Sequence, residues 1–257
     1  MTQRLPGLSP GDFAWIAAHS GLDQPEPAVL APFWAQVKGK TQLEAQFVAP
    51  RRATWRGHPS LAAVSYQGKT ATCVAHAACR MIETWYRQQG RTISLNAECA
   101  HECIYRYPSS LPAAQASNVL DELRSQGAPQ APGFLPGVAC PTGAALGLVP
   151  VPLFRQNVTI AQLKAKIAES GPALAVLTLA HDFENLAAPF VYHRPAAGSA
   201  TFNHAVMLIG YDDDDGGGMW ACQNSFGAGW GDHGYFLIPY ADASVMIGEL
   251  HPTFSLD

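Results

Sequence analysis

The spacing of apolar residues along the chain separates a helical half from a half made of strands. Apolar side chains recur at helical spacing after Cys73, so we expect a helix from Cys73 to about Gln89, closed by Gly90. Three more helices are predicted, at Asn96–Tyr105, Ala113–Ser125 and Gln162–Glu169. Beyond Pro172, short apolar runs predict β-strands, at Leu174–Leu179, His204–Tyr211, Met219–Asn224 and Tyr235–Pro239. Helices followed by strands indicate an α+β fold.

Residues 1–47 have a different pattern from the rest of the chain. They are rich in proline, contain two aromatic clusters, and predict only two short helices, one starting near Ser9 and one at Ala28–Val37. We therefore divide the chain into an N-terminal extension, residues 1–47, and a main domain, residues 48–257.

Composition and charge exclude two classes of partner. With 16 Lys and Arg residues against 20 Asp and Glu residues, the chain is mildly acidic and lacks a basic run. Neither nucleic acid nor a membrane surface is therefore an expected partner. No apolar stretch approaches the roughly 18–20 residues of a membrane span, and prolines interrupt any signal-peptide core near the N-terminus. We expect a cytoplasmic protein, with leaderless secretion left open.

Six cysteines in a chain of 257 residues do not make a disulfide framework. Cys79 and Cys222 lie in apolar segments, and we expect them in the core as thiols. Cys99, His101 and Cys103 raise the alternative of a metal cluster, but no second pair of ligands at metal spacing accompanies them. The sequence therefore predicts no metal site.

Three polar residues stand in an order that indicates nucleophilic chemistry. Cys73 is followed 131 residues later by His204 and 151 residues later by Asn224, and Gln67 precedes the cysteine by six positions. A thiol, a base and an amide that orients the base form a complete nucleophilic site. This order and spacing match those of papain-type cysteine proteases.

Each of the four residues has an expected role. Cys73 opens a helix, where unpaired backbone N–H groups favour an anion, and a nearby imidazolium would lower the thiol pKa further. His204 would take the thiol proton and later give it to the leaving amine, while Asn224 fixes the tautomer of the imidazole ring. The Gln67 side chain and the backbone N–H of Cys73 would stabilise the oxyanion. Gly68 would let the intervening loop turn tightly.

Nine histidines make the choice of base a real question. His76 competes on spacing, but a residue three positions into the helix projects away from a thiol at the helix end. His181, His193 and His233 have no matching amide nearby in sequence. We therefore assign the base to His204.

Residues from about 48 to 257 resemble the papain/cathepsin-type cysteine peptidase family. The resemblance is carried by short motifs, at Thr54-Trp55-Arg56, Gln67-Gly68, His204-Ala205-Val206 and Asn224-Ser225 with Gly229-Trp230-Gly231. It implies a two-lobe fold, with a helical N-terminal lobe, an antiparallel β-barrel-like C-terminal lobe and the site in the cleft between them. It also implies hydrolysis of peptide or amide bonds through a thioester on Cys73, without a metal or organic cofactor. Residues 1–47 would be a short pro-region, a docking segment or an extension that packs on the core.

Departures from the family pattern leave the substrate open. Thr70 occupies the place of a family half-cystine whose partner position is Cys103, so that disulfide cannot form. Phe226 replaces a tryptophan that shields the base, and Ile104–Leu111 replaces a run that lines the substrate cleft. Family cleavage preferences therefore do not transfer to this chain.

Two alternatives to hydrolysis remain open at the level of sequence. The same four residues could transfer an acyl group to an amine, as in an amide-forming or peptide-tailoring enzyme. The scaffold could also be a catalytically silent binding module, although all four polar groups are present. The substrate would be a peptide, a protein or an acyl-amide, and the sequence does not predict an oligomeric state.

Overall fold

The computed structural model describes residues 49–97, 100, 120, 123, 128–129, 148–149 and 159–252. The N-terminal extension, the predicted helix at 113–125 apart from two positions, and most of the predicted helix at 96–105 lie outside these residues. Cys99, His101, Cys103 and Cys140 lie outside them as well.

In the described part of the chain the two longest helices precede the main run of strands, and short strands lie before and between those helices. The helices are α1 at Cys73–Gln88, α2 at Ile160–Glu169 and α3 at Tyr240–Met246, with a 3₁₀ helix at His181–Asn185. The strands are β1 at Arg52–Thr54, β2 at Ala128–Pro129, β3 at Leu148–Val149, β4 at Ala173–Ala180, β5 at Thr201–Asp212, β6 at Met219–Gln223, β7 at Tyr235–Pro239 and β8 at Ile247–Pro252. None of the described helices has the length and apolar character needed to cross a membrane.

The main sheet is antiparallel, with the strand order β7-β6-β5-β4-β8, and β1 pairs with the end of β5. This arrangement confirms the α+β class. Among the described strands the sheet is open, whereas the sequence predicted a barrel-like lobe. The physical reason is the path after β7: α3 carries the chain across, so that β8 pairs with β4 at the far edge and not with β7.

Strand β5 separates two hydrophobic cores because its side chains alternate between the faces of the sheet. Ala205, Met207 and Ile209 pack with α1 on one face, while Val206 and Leu208 pack with α2 on the other. The start of α1, which carries Cys73, is therefore packed against β5, the strand that carries His204.

Helix α1 begins at Cys73, as the apolar pattern predicts, and ends one residue earlier than expected. Its buried side chains form a continuous apolar face against β4 and β5. Gly90, just beyond the helix, has a φ of 71°, a left-handed conformation that glycine adopts without strain. Gly90 therefore accounts for the end of the helix, and packing against the sheet holds its start.

Candidate active site

The Cys73 thiol lies at the buried start of α1. Its residue is only 2% exposed, and the backbone N–H groups of Cys73, Val74 and Ala205 are directed at the sulfur. Thr72 precedes the helix at the N-cap position, but its side chain forms no capping hydrogen bond. The N–H groups of the first helical turn are therefore left to the sulfur and to any anion beside it. The sulfur therefore lies against the main chain of β5 at Ala205, the residue after His204.

Burial sets the ionisation of the thiol in this conformation. Removal from water raises the pKa of Cys73 to about 11, and the three backbone N–H groups oppose that rise only in part. The helix position alone predicts the opposite direction. That prediction is wrong for this conformation, because the cost of burying a thiolate outweighs the stabilisation by the helix start.

The His204 ring is held in one tautomer by the Asn224 amide. Asn224 Oδ1 lies 2.7 Å from His204 Nε2 and 2.8 Å from the backbone N–H of Ser225. An N–H of the main chain can only donate, so the amide atom it contacts is the oxygen, and that oxygen can only accept. Nε2 must therefore carry the ring proton. Nδ1 is left as the basic nitrogen, and this buried atom has no hydrogen-bond partner within the described part of the chain.

The imidazole is neutral in this conformation. Burial lowers the pKa of His204 to about 4, while the hydrogen bond to Asn224 opposes the shift and the charge of His76 adds to it. The thiol and the base are thus both uncharged, where the sequence led us to expect an ion pair. A general base must begin without a proton on the accepting atom, and Nδ1 of the neutral ring meets this requirement.

A cluster of aromatic rings excludes water from the His204–Asn224 hydrogen bond. The Phe226 ring lies 4.8 Å from the His204 ring, and Phe183 lies 6.1 Å from it, measured between centroids. Trp230 closes the cluster at 5.6 Å from Phe226 and 4.7 Å from Phe183. Phe226 thus occupies the shielding position that the sequence assigned to it. A hydrogen bond kept from water in this way is electrostatically stronger than an exposed one.

Gln67 is buried and fixed at both ends of its amide. Its Oε1 accepts a hydrogen bond of 2.6 Å from the Ser225 hydroxyl, and its Nε2 donates one of 2.7 Å to the Thr70 carbonyl. An amide nitrogen has two N–H groups, so one remains for a substrate oxygen. Gly68 has a φ of 60°, which permits the tight turn predicted after Gln67. The arrangement suits an oxyanion donor that needs no reorganisation.

The other histidines predicted as weaker candidates lie elsewhere. His181 lies in the 3₁₀ helix with its Nδ1 3.6 Å from a Glu184 carboxylate, and His193 contacts Asp242 at 2.8 Å. His76 is buried within α1, near enough to influence His204 electrostatically. His204 has the Asn224 amide oxygen at 2.7 Å as its partner.

Sequence reasoning missed the two residues that connect the site. Ser225 donates its N–H to the amide that orients the base and its hydroxyl to Gln67, so it links the base to the oxyanion donor. Thr70 contacts Gln67 from the other side. The sequence signal for both was their position beside an assigned residue, in Asn224-Ser225 and in the loop from Gln67 to Cys73.

The comparisons with known proteins concern the sequence family and the fold. Residues 153–249 match the family model described as papain family cysteine protease. Cathepsin L of Sarcophaga peregrina is 24% identical over 207 residues, which are 76% of this chain and 60% of that protein. Pro-cathepsin H of Medicago truncatula is 28% identical over 215 residues, which are 79% of this chain and 61% of that protein. The chain thus spans about 60% of the length of these curated relatives.

Solved structures share the fold at low sequence identity. Xylellain, a cysteine protease from Xylella fastidiosa, superposes with a TM-score of 0.68 at 18% identity, covering 92% of this chain and 91% of its own. Digestive procathepsin L2 from the larval midgut of Tenebrio molitor gives 0.68 at 20% identity, covering 94% of this chain and 80% of its own. The chain thus has the fold of these proteases and is similar in sequence to the cathepsin-type cysteine proteases.

Proposed function

We propose that the protein is a cysteine peptidase that hydrolyses peptide or amide bonds through a thioester on Cys73. The observation that carries this proposal is the fixed tautomer of His204. The His204 ring donates its Nε2 proton to Asn224 Oδ1, which leaves Nδ1 able to accept a proton. The Cys73 sulfur contacts the backbone N–H of Ala205, the residue that follows His204 on β5. In this assignment Asn224 orients the base and Gln67 binds the oxyanion.

The proposed reaction has two halves. His204 Nδ1 takes the thiol proton as Sγ attacks the substrate carbonyl, and the carbonyl oxygen becomes an anion bound by the Gln67 N–H and the backbone N–H of Cys73. Collapse breaks the C–N bond, and the amine leaves with the proton from Nδ1. Water then gives a proton to Nδ1 and attacks the thioester, which releases the acid and restores the thiol.

Cys73 is 2% exposed and His204 is fully buried in the described conformation. Entry of water with a substrate would reduce the desolvation that keeps both groups neutral, which favours transfer of the thiol proton to the imidazole. We propose residues 48–257 as the peptidase domain and residues 1–47 as a short pro-region or docking segment. The cytoplasmic location stays a prediction.

The second candidate is acyl transfer, and the burial of the thiol favours it. A thioester kept from water would survive until an amine arrives, and the product would be a new amide rather than an acid. The amine would take the place of water in the second half of the reaction, with the same residues in the same roles.

Product analysis separates the two candidates. The full chain is incubated with carboxymethylated ribonuclease in H₂¹⁸O, with and without glycinamide, and the products are identified by mass spectrometry. We expect new C-termini that carry one ¹⁸O atom and are absent with the Cys73→Ala variant. Products that carry glycinamide in preference to ¹⁸O would establish acyl transfer. Absence of both from the wild-type reaction would contradict the proposal.

A further inference from the structure

We propose that Thr70 is a positioning residue that holds the Gln67 amide in its oxyanion-binding orientation. The proposal rests on the function proposed above, because it needs an oxyanion for Gln67 to bind. It concerns a residue for which sequence comparison assigned only the loss of a half-cystine.

Thr70 and Gln67 are joined by reciprocal hydrogen bonds. The Thr70 hydroxyl donates to the Gln67 carbonyl at 2.6 Å, and the Thr70 backbone N–H approaches the same oxygen at 3.4 Å. In return, Gln67 Nε2 donates to the Thr70 carbonyl at 2.7 Å. The two residues thus fix both the main chain at Gln67 and the rotation of its side-chain amide.

Counting protons extends this link to the start of α1. A hydroxyl has one proton, and that of Thr70 is donated to Gln67, so Thr70 Oγ1 must accept in its contact of 2.6 Å with Thr72 Oγ1. The proton of Thr72 is therefore directed at Thr70. One chain of hydrogen bonds runs from the residue before the nucleophile to the oxyanion donor.

The Gln67 amide is bound from two sides that differ in character. Ser225 contacts Oε1 from the segment after β6, where it follows Asn224 directly. Thr70 is half-buried and contacts Nε2 through its carbonyl, whose place depends on the hydroxyl bond to Gln67. Loss of the Thr70 hydroxyl would free the Thr70 carbonyl to move, and with it the Gln67 Nε2 that donates to that carbonyl. The second N–H of Nε2 would then move away from the oxyanion. The expected effect is confined to reactions that form an oxyanion.

Two small reagents test this, because both react with the Cys73 thiol and only one forms an oxyanion. Acylation by p-nitrophenyl acetate passes through a tetrahedral oxyanion and releases p-nitrophenolate, whereas alkylation by iodoacetamide does not. Thr70→Val keeps the shape of the side chain and removes the hydroxyl. We expect Thr70→Val to slow Cys73 acylation roughly 10-fold and to leave alkylation within about 2-fold of wild type.

Three further variants complete the experiment. Thr70→Ser restores the hydroxyl and should recover the acylation rate. In a Gln67→Ala background, Thr70→Val should have no further effect, because the amide it positions is gone. Thr54→Val makes the same chemical change on exposed β1, which pairs with Gly210 at the far end of β5 from His204, and should match wild type in both reactions.

The outcomes separate the two proposals. Equal acylation by wild type and Thr70→Val would overturn the positioning role, and so would an equal loss of acylation and alkylation. An additive loss in the Gln67→Ala background would overturn it as well. If wild type shows no acylation that depends on Cys73, both the proposed function and the role of Thr70 fail together.

Discussion

The base and the nucleophile of the candidate site are held by different kinds of structure. His204 lies within a paired strand, opposite Leu177 of β4, so main-chain hydrogen bonds of the sheet fix its place. Cys73 lies where a loop meets a helix. Main-chain bonds join the start of that loop to residues 225–227, and side-chain bonds among Gln67, Thr70, Thr72 and Ser225 add to them nearer the helix.

This difference shows where the site can tolerate substitution. Main-chain pairing does not depend on the identity of neighbouring side chains, so the position of His204 should survive most changes around it. The loop before Cys73 depends on individual hydroxyl and amide groups, each of which one substitution removes. We therefore expect the oxyanion donor to be the more fragile part and the base the more robust one.

The largest expected effect is the loss of the nucleophile. Cys73→Ala should abolish peptide cleavage, a loss of at least about 10³-fold, while the fold is kept because alanine fits the helix start. Cys222→Ala is the matched control, since it also removes a fully buried thiol, in this case from β6. If activity persists in Cys73→Ala and disappears in Cys222→Ala, the assignment of Cys73 as the nucleophile is contradicted. Circular dichroism of each variant checks the fold.

Removal of the oxyanion donor should come next. Gln67→Ala is expected to lower kcat by about 10²- to 10³-fold, the usual effect of losing one preorganised donor. KM should change little, because the interaction forms in the transition state. A loss confined to KM would mean that Gln67 binds substrate rather than the oxyanion. Steady-state kinetics on a peptide derived from the ribonuclease products supplies both constants.

The buried base should also make stability depend on pH. The pKa of His204 is lowered from its ordinary value of 6.5 to about 4. Between those values the unfolded chain binds a proton that the folded chain does not, so stability is complete above pH 6.5 and declines as the pH falls. The free energy of unfolding should decrease by up to about 3 kcal/mol between pH 7 and pH 4 through this residue. Urea unfolding of wild type and His204→Gln measures it, and an equal decline in both proteins would contradict the claim.

The smallest effect concerns the orienting amide. Asn224→Ala should reduce kcat/KM about 10- to 100-fold, because it removes one buried hydrogen bond to the ring. The sheet and Phe226 still hold the ring in place, 4.8 Å from the phenyl group. Asn224→Asp is the companion variant, since it keeps the acceptor and adds a charge. An Asn224→Ala loss larger than that of Gln67→Ala would reverse the order of fragility proposed for the two parts.

Much of the fold and of the site was predictable from local pattern. The bounds of β7 agree with the prediction, and α1 differs by one residue at its end. The apolar pattern that predicts β5 covers only part of it, because Thr201 and Asn203 are polar. These first residues belong to the strand because they pair with β4. β1 and α3 were missed because three and seven residues carry too little periodicity to register.

The ionisation of the site was not predictable in the same way. The helix start at Cys73 is visible in the sequence, and it lowers a thiol pKa when water is present. Whether the thiol is buried depends on packing among distant segments, such as the contact of Cys73 with Ala205 on β5. The bonds of Thr70 depend likewise on a loop conformation that includes a left-handed Gly68. Residue identity and order predict which residues take part, whereas their burial depends on three-dimensional packing.

The most direct test of this account is the rate of Cys73 alkylation by iodoacetamide as a function of pH, in wild type and in His204→Gln, with peptide mapping across all six cysteines. If His204 takes the thiol proton, wild type should react about 10-fold faster or more between pH 5 and pH 8. The two profiles should converge near pH 11, where burial raises the pKa of the Cys73 thiol and it ionises without help. Profiles that coincide over the whole range would contradict the account, because Cys73 would then titrate independently of His204.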